Sequence, residues 1–208
     1  MSGPAWERTL DVGTAAGTHA LAAALGAELQ AGDLLVLTGE LGAGKTTFTQ
    51  GLAEGLGVRA GIISPTFVLV RIHPNLPDGP RPGGPDLVHV DAYRLGSAAE
   101  VDDIDLENTL DSAVTVVEWG RDRVEHLSES RLEVELYRQL GSAGTAGNSA
   151  GTGSQQSDHP PAGPVLDFDT DDADEPRTVV FRGFGPRWAE PPAALAGLPA
   201  SPATPETD

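Results

Sequence analysis

The sequence contains no cysteine, a single lysine and few aromatic residues. Of its 208 residues, Phe, Trp and Tyr make up 5%, and 13 Lys and Arg stand against 31 Asp and Glu, which gives a net charge of −18. Because no disulfide can stabilise a weak core, Ala, Val and Leu must form it, and the lack of cysteine fits an intracellular protein. A strongly acidic surface repels phosphate backbones, which argues against a protein that binds DNA or RNA by itself.

Long apolar runs are missing as well. No segment approaches the roughly 18 consecutive apolar residues that a membrane-spanning helix needs. The start of the chain, Met1–Asp11, lacks the basic residues and apolar run of a signal peptide. We therefore expect a cytoplasmic protein with no membrane-bound part.

Two segments have compositions that do not favour a folded core. From about 140 to 176 the chain is rich in Gly and Ser and then in Asp, and from Glu190 onward it is rich in Pro and Ala. Such segments bury too little apolar surface to offset the entropy lost on ordering. Residues 178–184 read as one more strand. We therefore predict one domain over 1–188, interrupted by a disordered insertion at about 140–176 and followed by a disordered tail over 189–208.

The remaining sequence alternates helix and strand patterns. A helix is predicted from Thr14, its N-cap, because Leu21, Leu25 and Leu29 recur every four residues; a second covers Thr46–Leu56, and a third begins after Ser97. Apolar runs predict strands at 34–37, 67–72, 87–90, 114–117, 132–136 and 178–184. This alternation favours an α/β fold.

The strongest motif runs from Gly39 to Thr46. Its sequence, GELGAGKT, matches the P-loop pattern GxxxxGK[ST] at every required position and lies between an apolar strand and a helix. The glycines let backbone N–H groups turn toward phosphates, and the helix start attracts the anion. Lys45 is expected to reach the β- and γ-phosphates, and the Thr46 hydroxyl to bind magnesium. The predicted nucleotide-binding residues here are Gly42, Ala43, Gly44, Lys45, Thr46 and Thr47.

A P-loop enzyme also needs an acidic group near the magnesium ion. Asp91 and Glu118 each follow an apolar strand, where they would emerge at the carboxyl edge of a parallel sheet. Either could hold the metal, and a solvated strand-end acid is the simpler alternative for each. Thr66, in the Ser64–Phe67 segment, lies where P-loop proteins often carry a loop that senses the γ-phosphate, although an ordinary turn explains the same residues.

Four motifs in this order resemble the TsaE (YjeE) family, small bacterial ATPases required for making threonylcarbamoyladenosine in tRNA. They are ELGAGKTT at 40–47, SPTF at 64–67, HVDAYRL at 89–95 and VEW at 117–119. The resemblance implies a three-layer P-loop NTPase-like domain with a mainly parallel sheet. It also implies that the protein binds ATP and Mg²⁺, hydrolyses ATP, and works with the TsaD and TsaB proteins, so that tRNA is met only through the assembly.

The resemblance also implies roles for individual residues. Glu118 becomes the magnesium-side acid, Asp91 a second acid needed for hydrolysis, and Thr66 part of the nucleotide-sensing loop. Thr14 and Arg177 occupy places that resemble contacts to the nucleotide base.

Two other functions compete with this reading. A P-loop kinase of a small metabolite would need basic lid residues, for which Arg121 and Arg123 are the candidates, although a solvated helix face is the simpler interpretation of both. A nucleotide-dependent binding module with negligible turnover is the third possibility. Phosphate release, measured with and without partners, would separate the three.

Overall fold

A mixed sheet of seven strands forms the centre of the protein in the computed structural model, which describes residues 3–139 and 175–196. The strands are β1 (Trp6–Val12), β2 (Leu34–Thr38), β3 (Val70–His73), β4 (Asp86–Asp91), β5 (Ala113–Glu118), β6 (Arg131–Arg138) and β7 (Arg177–Phe184). Their order across the sheet is β1-β7-β6-β2-β5-β4-β3. The four central strands are mutually parallel, whereas β7 and β3 run antiparallel to their neighbours. Five strands therefore point one way, which confirms the predicted mainly parallel sheet.

Helices lie on both faces of this sheet. They are α1 (Ala15–Gly26), α2 (Lys45–Leu56), α3 (Ala98–Asp102), α4 (Glu107–Leu110) and α5 (Ala193–Ala196), with a 3-10 turn at Pro186–Trp188. Successive side chains of a strand point to opposite faces. Leu35 and Leu37 accordingly join the core under α1 and α2, while Leu34 and Val36 join the core under α3 and α4. The result is the three-layer α/β domain that the sequence predicts.

The helix that carries the P-loop is fixed by close packing against α1. Gly51 and Gly55 of α2 lie against the backbone carbonyls of His19 and Ala23, where a Cβ atom would overlap the carbonyl oxygens. The predicted helix start is confirmed, because the Thr14 hydroxyl accepts a hydrogen bond from the Gly17 N–H at 3.0 Å. Close packing against α1 thus fixes the position of α2.

The third predicted strand begins later than the apolar run at 67–72 indicates. Residues 66–69 form a turn in which the Val68 and Leu69 N–H groups both donate to the Pro65 carbonyl, and Leu69 has a φ of 66°. The strand starts only at Val70, and Phe67 is exposed. Local bonding to Pro65 outweighs the strand propensity of the apolar residues.

Sequence patterns missed one strand and placed the start of the tail too early. Strand β1 pairs with β7 at the sheet edge, where its alternation of charged and apolar residues gives only a weak signal. The predicted disordered tail differs from the structure at 193–196, because α5 packs on α1 and Leu195 is fully buried. Residues 140–174 and 197–208, which hold most of the predicted insertion and tail, lie outside the described residues. Within the described part of the chain, none of the helices is long and apolar enough to span a bilayer.

Candidate functional site

One cleft collects most of the predicted site residues at the carboxyl ends of the parallel strands. The P-loop follows β2, Asp91 is the last residue of β4, and Glu118 is the last residue of β5. Asp91 and Glu118 are directly paired in the β4–β5 register, so the two acids lie side by side. The cleft has a volume of about 420 Å³. Its lining includes Gly42, Gly44, Lys45, Thr46, Thr47, Thr66, Asp91, Glu118 and Arg177.

The P-loop backbone depends on its glycines. Gly42 and Gly44 have φ values of 79° and 99°, a region that side chains disfavour. Gly44 is also the N-cap residue of α2. No side chain accepts a capping hydrogen bond there, so the first N–H groups of the helix are available to a ligand in the cleft. Ala43 is buried beneath the loop. Glycines with positive φ at the start of a helix fit the P-loop motif, and anion binding by this loop stays a prediction.

The ammonium group of Lys45 is held at the base of the loop. Its Nζ donates to the carbonyl oxygens of Gly39 and Glu40 at 2.8 and 2.9 Å and lies 3.8 Å from the centre of the Trp119 ring. The residue is only 5% exposed. Burial lowers the pKa of Lys45, while the carboxylates of Glu118 and Asp91 oppose that shift. The chain's only lysine is therefore enclosed by acceptors and an aromatic ring within the cleft.

Glu118 contacts the first turn of α2. The Thr46 hydroxyl donates to Oε1 of Glu118 at 3.2 Å, and Nε2 of His89 lies 2.8 Å from the same oxygen. Both His89 and Glu118 are buried. Thr46 and Glu118, the two predicted magnesium ligands, are thus adjacent although 72 positions separate them in the chain.

Asp91 faces the Ser64–Thr66 segment instead. The hydroxyls of Ser64 and Thr66 both donate to its Oδ2 at 2.6 Å, and the Tyr93 N–H donates to its Oδ1 at 3.0 Å. Protein donors therefore already occupy both oxygens of this carboxylate. The predicted sensing residue, Thr66, is bonded directly to the predicted second acid.

The donor set of the cleft suits magnesium bound together with a nucleotide. Thr46, Glu118 and Asp91 supply hard oxygen atoms, which Mg²⁺ prefers. Across residues 3–139 and 175–196, no group of three or more His, Asp or Glu side chains gathers to hold a metal ion alone.

The two predicted base contacts are placed differently. Arg177 is buried and lines the cleft beside Gly44, and its Nη1 donates to the Glu175 carbonyl at 2.6 Å. Thr14 does not line the cleft; its hydroxyl caps α1, and its neighbour Ala15 forms part of the wall.

Two residues contribute to the site more directly than sequence reasoning indicates. His89 and Trp119 flank the acids, at strand ends where isolated His and Trp are more often packing or hydrogen-bonding residues than site residues. His89 bonds Glu118, and the Trp119 ring covers the Lys45 ammonium. Trp119 has a φ of 63°, which turns the chain at the end of β5, and its ring contacts Tyr93 with centroids 5.2 Å apart. The two-residue period of a strand places His89 on the same face as Asp91, and this was the available signal for its role.

Comparisons with known proteins agree on one family. A family model described as threonylcarbamoyl adenosine biosynthesis protein TsaE matches residues 12–144. A Streptomyces coelicolor protein named tRNA threonylcarbamoyladenosine biosynthesis protein TsaE is 47% identical over 162 residues, which cover 77% of this chain and 86% of that protein. A Bacillus subtilis protein of the same name is 39% identical over 122 residues, covering 58% and 72%. The crystal structure of Bacillus subtilis YdiB superposes with a TM-score of 0.57 at 27% identity, covering 88% of this chain and 89% of that one.

Proposed function

This chain belongs to the TsaE family of tRNA threonylcarbamoyladenosine biosynthesis, and we propose from that membership and the geometry of the cleft that it is the ATP-hydrolysing subunit of the machinery. The observation that carries the proposal is the contact of the Thr46 hydroxyl with the Glu118 carboxylate, beside the buried Lys45 ammonium. This contact places an oxygen donor pair and a cation at the start of one helix, which is the arrangement that P-loop enzymes use for a nucleotide and its metal.

Each element of the cleft has a role in this proposal. The backbone amides of Gly42, Ala43 and Gly44 bind phosphate oxygens, and Lys45 bonds the β- and γ-phosphates after leaving the Gly39 and Glu40 carbonyls. Thr47 lies beside Thr46 in the cleft lining and would supply a further hydroxyl to the nucleotide. Binding of the phosphates therefore replaces internal lysine contacts by contacts to the substrate.

Magnesium would be held by Thr46 and Glu118. Their oxygen atoms would keep the ion beside the phosphates, where its positive charge would favour the reaction. Glu118 is already oriented by Thr46 and by His89, so its carboxylate needs little rearrangement to act as a ligand.

Asp91 is assigned to the attacking water. Its carboxylate is held by Ser64, Thr66 and the Tyr93 amide, which fixes its direction in the cleft. A fixed carboxylate can accept a hydrogen bond from water and orient it toward the γ-phosphate. Ser64 and Thr66 bond the same oxygen of Asp91. Movement of this segment on nucleotide binding would therefore change the orientation of the Asp91 carboxylate.

Arg177 and Thr14 are assigned to the nucleotide base. Arg177 lines the cleft beside Gly44 but is 2% exposed, so only the small part of its side chain that reaches the cleft would contact the base. Thr14 lies at the start of α1, next to the wall residue Ala15, and would take part through its backbone, since its hydroxyl caps the helix.

We assign TsaD and TsaB as the partner proteins and the cytoplasm as the site of action. The net charge of −18 opposes direct binding of tRNA, so the proposal has tRNA enter only through the assembly. Hydrolysis by this subunit would then support turnover of the TsaD–TsaB transferase.

A kinase lid finds no support among the two arginines considered for it. Arg121 pairs with Glu135, and Arg123 donates to the carbonyls of Ala92 and Trp119, so both guanidiniums are committed outside the cleft lining. Both arginines are half-buried in a turn, whereas the sequence indicates a solvated helix face. These contacts favour hydrolysis over transfer to a metabolite.

The test is phosphate release from ATP, with magnesium, measured for the chain alone and with TsaD–TsaB. We expect slow hydrolysis alone and faster hydrolysis with the two partners. ADP formation that depends on an added metabolite would favour the kinase, and tight nucleotide binding without turnover under any condition would favour the binding module. Lys45→Ala serves as the control for contaminating ATPase.

A further inference from the structure

Most of the large apolar side chains that remain exposed belong to β3 or to the segments that flank it in the chain. Eight large hydrophobic side chains are exposed among the described residues. Six of them come from β3 and the segments that flank it in the chain. Ile72 is in β3, Phe67, Val68 and Leu76 lie within three residues of its ends, and Ile63 and Tyr93 belong to the flanking segments, where Tyr93 also lines the cleft. Phe67 is 89% exposed and Ile72 is 53% exposed. A cluster of this kind on a surface otherwise rich in charge is typical of a protein interaction site. We call these six residues, with Arg59, Arg71 and Arg94, the β3 surface.

The arginines of the chain show the same asymmetry. The sequence has twelve, and within residues 3–139 and 175–196 nine of them have side-chain hydrogen bonds or ion pairs. The three whose side chains make no such contact with the described residues are Arg59, Arg71 and Arg94. In a chain with a net charge of −18, three arginines that pair with no carboxylate of residues 3–139 and 175–196 form a local attraction for an anionic ligand.

These arginines follow the length of β3. Arg71 lies within the strand. The N–H of Arg59 donates to the Pro74 carbonyl at one end of the strand, and Arg94 follows Asp91, whose N–H donates to the Leu69 carbonyl at the other end. The positive charges are therefore spread along the strand, in line with the exposed apolar side chains.

Strand β3 is also an open edge of the sheet. It is the last strand in the order, and among residues 3–139 and 175–196 it pairs with β4 alone. Just past its end, Val58 forms an isolated bridge with Asn75 and the Arg59 N–H bonds the Pro74 carbonyl, so the free edge is the strand itself. The Leu69 carbonyl accepts a hydrogen bond from the Asp91 N–H, and hydrogen-bonded residues alternate along an antiparallel pair. The backbone N–H and C=O of Arg71 therefore point toward β4, and those of Ile72 point outward from the sheet edge. Such an edge can pair with another extended chain unless a protein blocks it.

We propose that the β3 surface binds an extended segment of a protein partner, with acidic and apolar side chains in alternation, that adds to the sheet as a strand beside β3. Backbone bonds to Ile72 would give affinity, and the alternate side chains would meet the arginines and the exposed apolar residues. The proposal rests on the proposed function only for the source of the segment, which is the TsaD–TsaB pair.

The β3 surface is connected to the nucleotide site by a few residues of the chain. Phe67 and Val68 follow Thr66, and the Thr66 hydroxyl bonds Asp91 in the cleft. A partner that orders the turn at 66–69 therefore acts on the residues that hold the second acid. This continuity gives a physical reason for partner binding to alter hydrolysis.

A protein segment fits this surface better than a nucleic acid. Four of the six exposed apolar side chains, Ile63, Val68, Ile72 and Leu76, are aliphatic and cannot stack as aromatic side chains do on bases. Three cations on a chain of net charge −18 are also few for binding that depends on counterion release. The open strand edge has no equivalent use in binding RNA.

Two measurements on the full chain test the proposal. The first follows backbone amide NMR signals during titration with the peptide Glu-Val-Glu-Val-Glu-Val-Glu, with a matched peptide in which Lys replaces Glu, and with a tRNA anticodon stem-loop. The second measures the affinity for TsaD–TsaB of the wild type, of Ile72→Lys and of the double variant Arg71→Glu, Arg94→Glu. Arg8→Glu, on the opposite edge strand β1, is the control for the change in charge.

We expect the acidic peptide alone to shift the signals of residues 70–72, and both β3 variants to bind TsaD–TsaB at least tenfold more weakly, with nucleotide affinity and the Arg8→Glu control unchanged. Shifts that are absent or lie elsewhere, or β3 variants that bind TsaD–TsaB as the wild type does, would overturn the proposal. Tighter binding of the stem-loop to the same residues would overturn it in favour of RNA. If the acidic peptide binds at β3 but the wild type does not bind TsaD–TsaB, the β3 surface stands and the assigned partner is wrong.

Discussion

Nε2 of His89 lies 2.8 Å from Oε1 of Glu118, and both side chains are buried between the neighbouring strands β4 and β5. Nδ1 of His89 has no hydrogen-bond partner among the described residues, so we assign the proton of the neutral ring to Nε2, which then donates to the carboxylate. The remaining donor to Glu118 is the Thr46 hydroxyl. His89 is thus a positioning residue, which fixes the carboxylate proposed to hold magnesium.

Replacing His89 should therefore change the magnesium requirement. We expect His89→Ala to raise the magnesium concentration that gives half-maximal nucleotide affinity by about tenfold, which corresponds to the lower end of the cost of losing one hydrogen bond to a charged group. Nucleotide affinity without magnesium should stay the same. Isothermal titration at several magnesium concentrations measures both. His73→Ala is the matched control, because His73 is also buried on the β3–β4 pair but does not touch Glu118. An equal change in both variants would mean that His89 only supports packing.

Lys45→Ala should remove productive ATP binding while the fold remains. The ammonium is the one lysine charge in the chain and lies at the base of the P-loop, so its loss leaves the β- and γ-phosphates without their lysine counter-charge. We expect affinity for Mg-ATP to fall by about 100-fold, in line with the strength of charge-assisted hydrogen bonds. Calorimetry gives the affinity, and circular dichroism checks the fold. Hydrolysis at the wild-type rate would contradict the P-loop assignment.

The two acids should separate metal binding from hydrolysis. Glu118→Gln removes a charged oxygen beside Thr46, so we expect the magnesium requirement to rise about tenfold. Asp91→Asn keeps the volume and one acceptor but removes the charge next to the proposed water, so ATP should still bind while single-turnover hydrolysis slows by about 100-fold. Both variants are compared across one magnesium titration. The opposite pattern would exchange the two roles, and full activity in both would make each acid a bystander.

An ion-pair network around Glu135 of β6 should make the free energy of unfolding depend on pH. Burial alone would raise the pKa of Glu135, but hydrogen bonds from Arg121 and Arg182 outweigh it and lower the pKa to about 2. A carboxyl with a lowered folded-state pKa stabilises the fold above its unfolded pKa of about 4.5, and the contribution is lost as the pH falls from about 5 to 2.

We therefore expect Glu135→Gln to lower the free energy of unfolding by about 1 kcal/mol at pH 7, the upper end for ion pairs near the surface. The difference from the wild type should vanish as the pH approaches 2. Urea unfolding at a series of pH values measures it. Glu129→Gln, at an exposed position, is the control and should not change stability. A deficit that persists at low pH would show that packing, not charge, explains the effect.

The sequence by itself determined the features that depend on neighbouring residues. The P-loop, the Thr14 and Ser97 caps and the left-handed Gly57 at the end of α2 all arise from bonds within a few positions, so their patterns are readable before the fold is known. The apolar runs likewise predicted the buried strands, because only a strand covered on both faces needs every position apolar. The motif set identified the family for the same reason.

Only the tertiary structure decided which of these residues meet. The contact of Thr46 with Glu118, the bond of His89 to the same carboxylate and the cover of Lys45 by Trp119 depend on strand order and register, which no local pattern encodes. Thr66 and Asp91 are joined because Pro65 forms a turn where apolar residues predicted a strand. The open edge at β3 exists because the sheet ends there. Long-range hydrogen bonds and packing, settled only when the whole sheet assembles, select these contacts from the many that the sequence would allow.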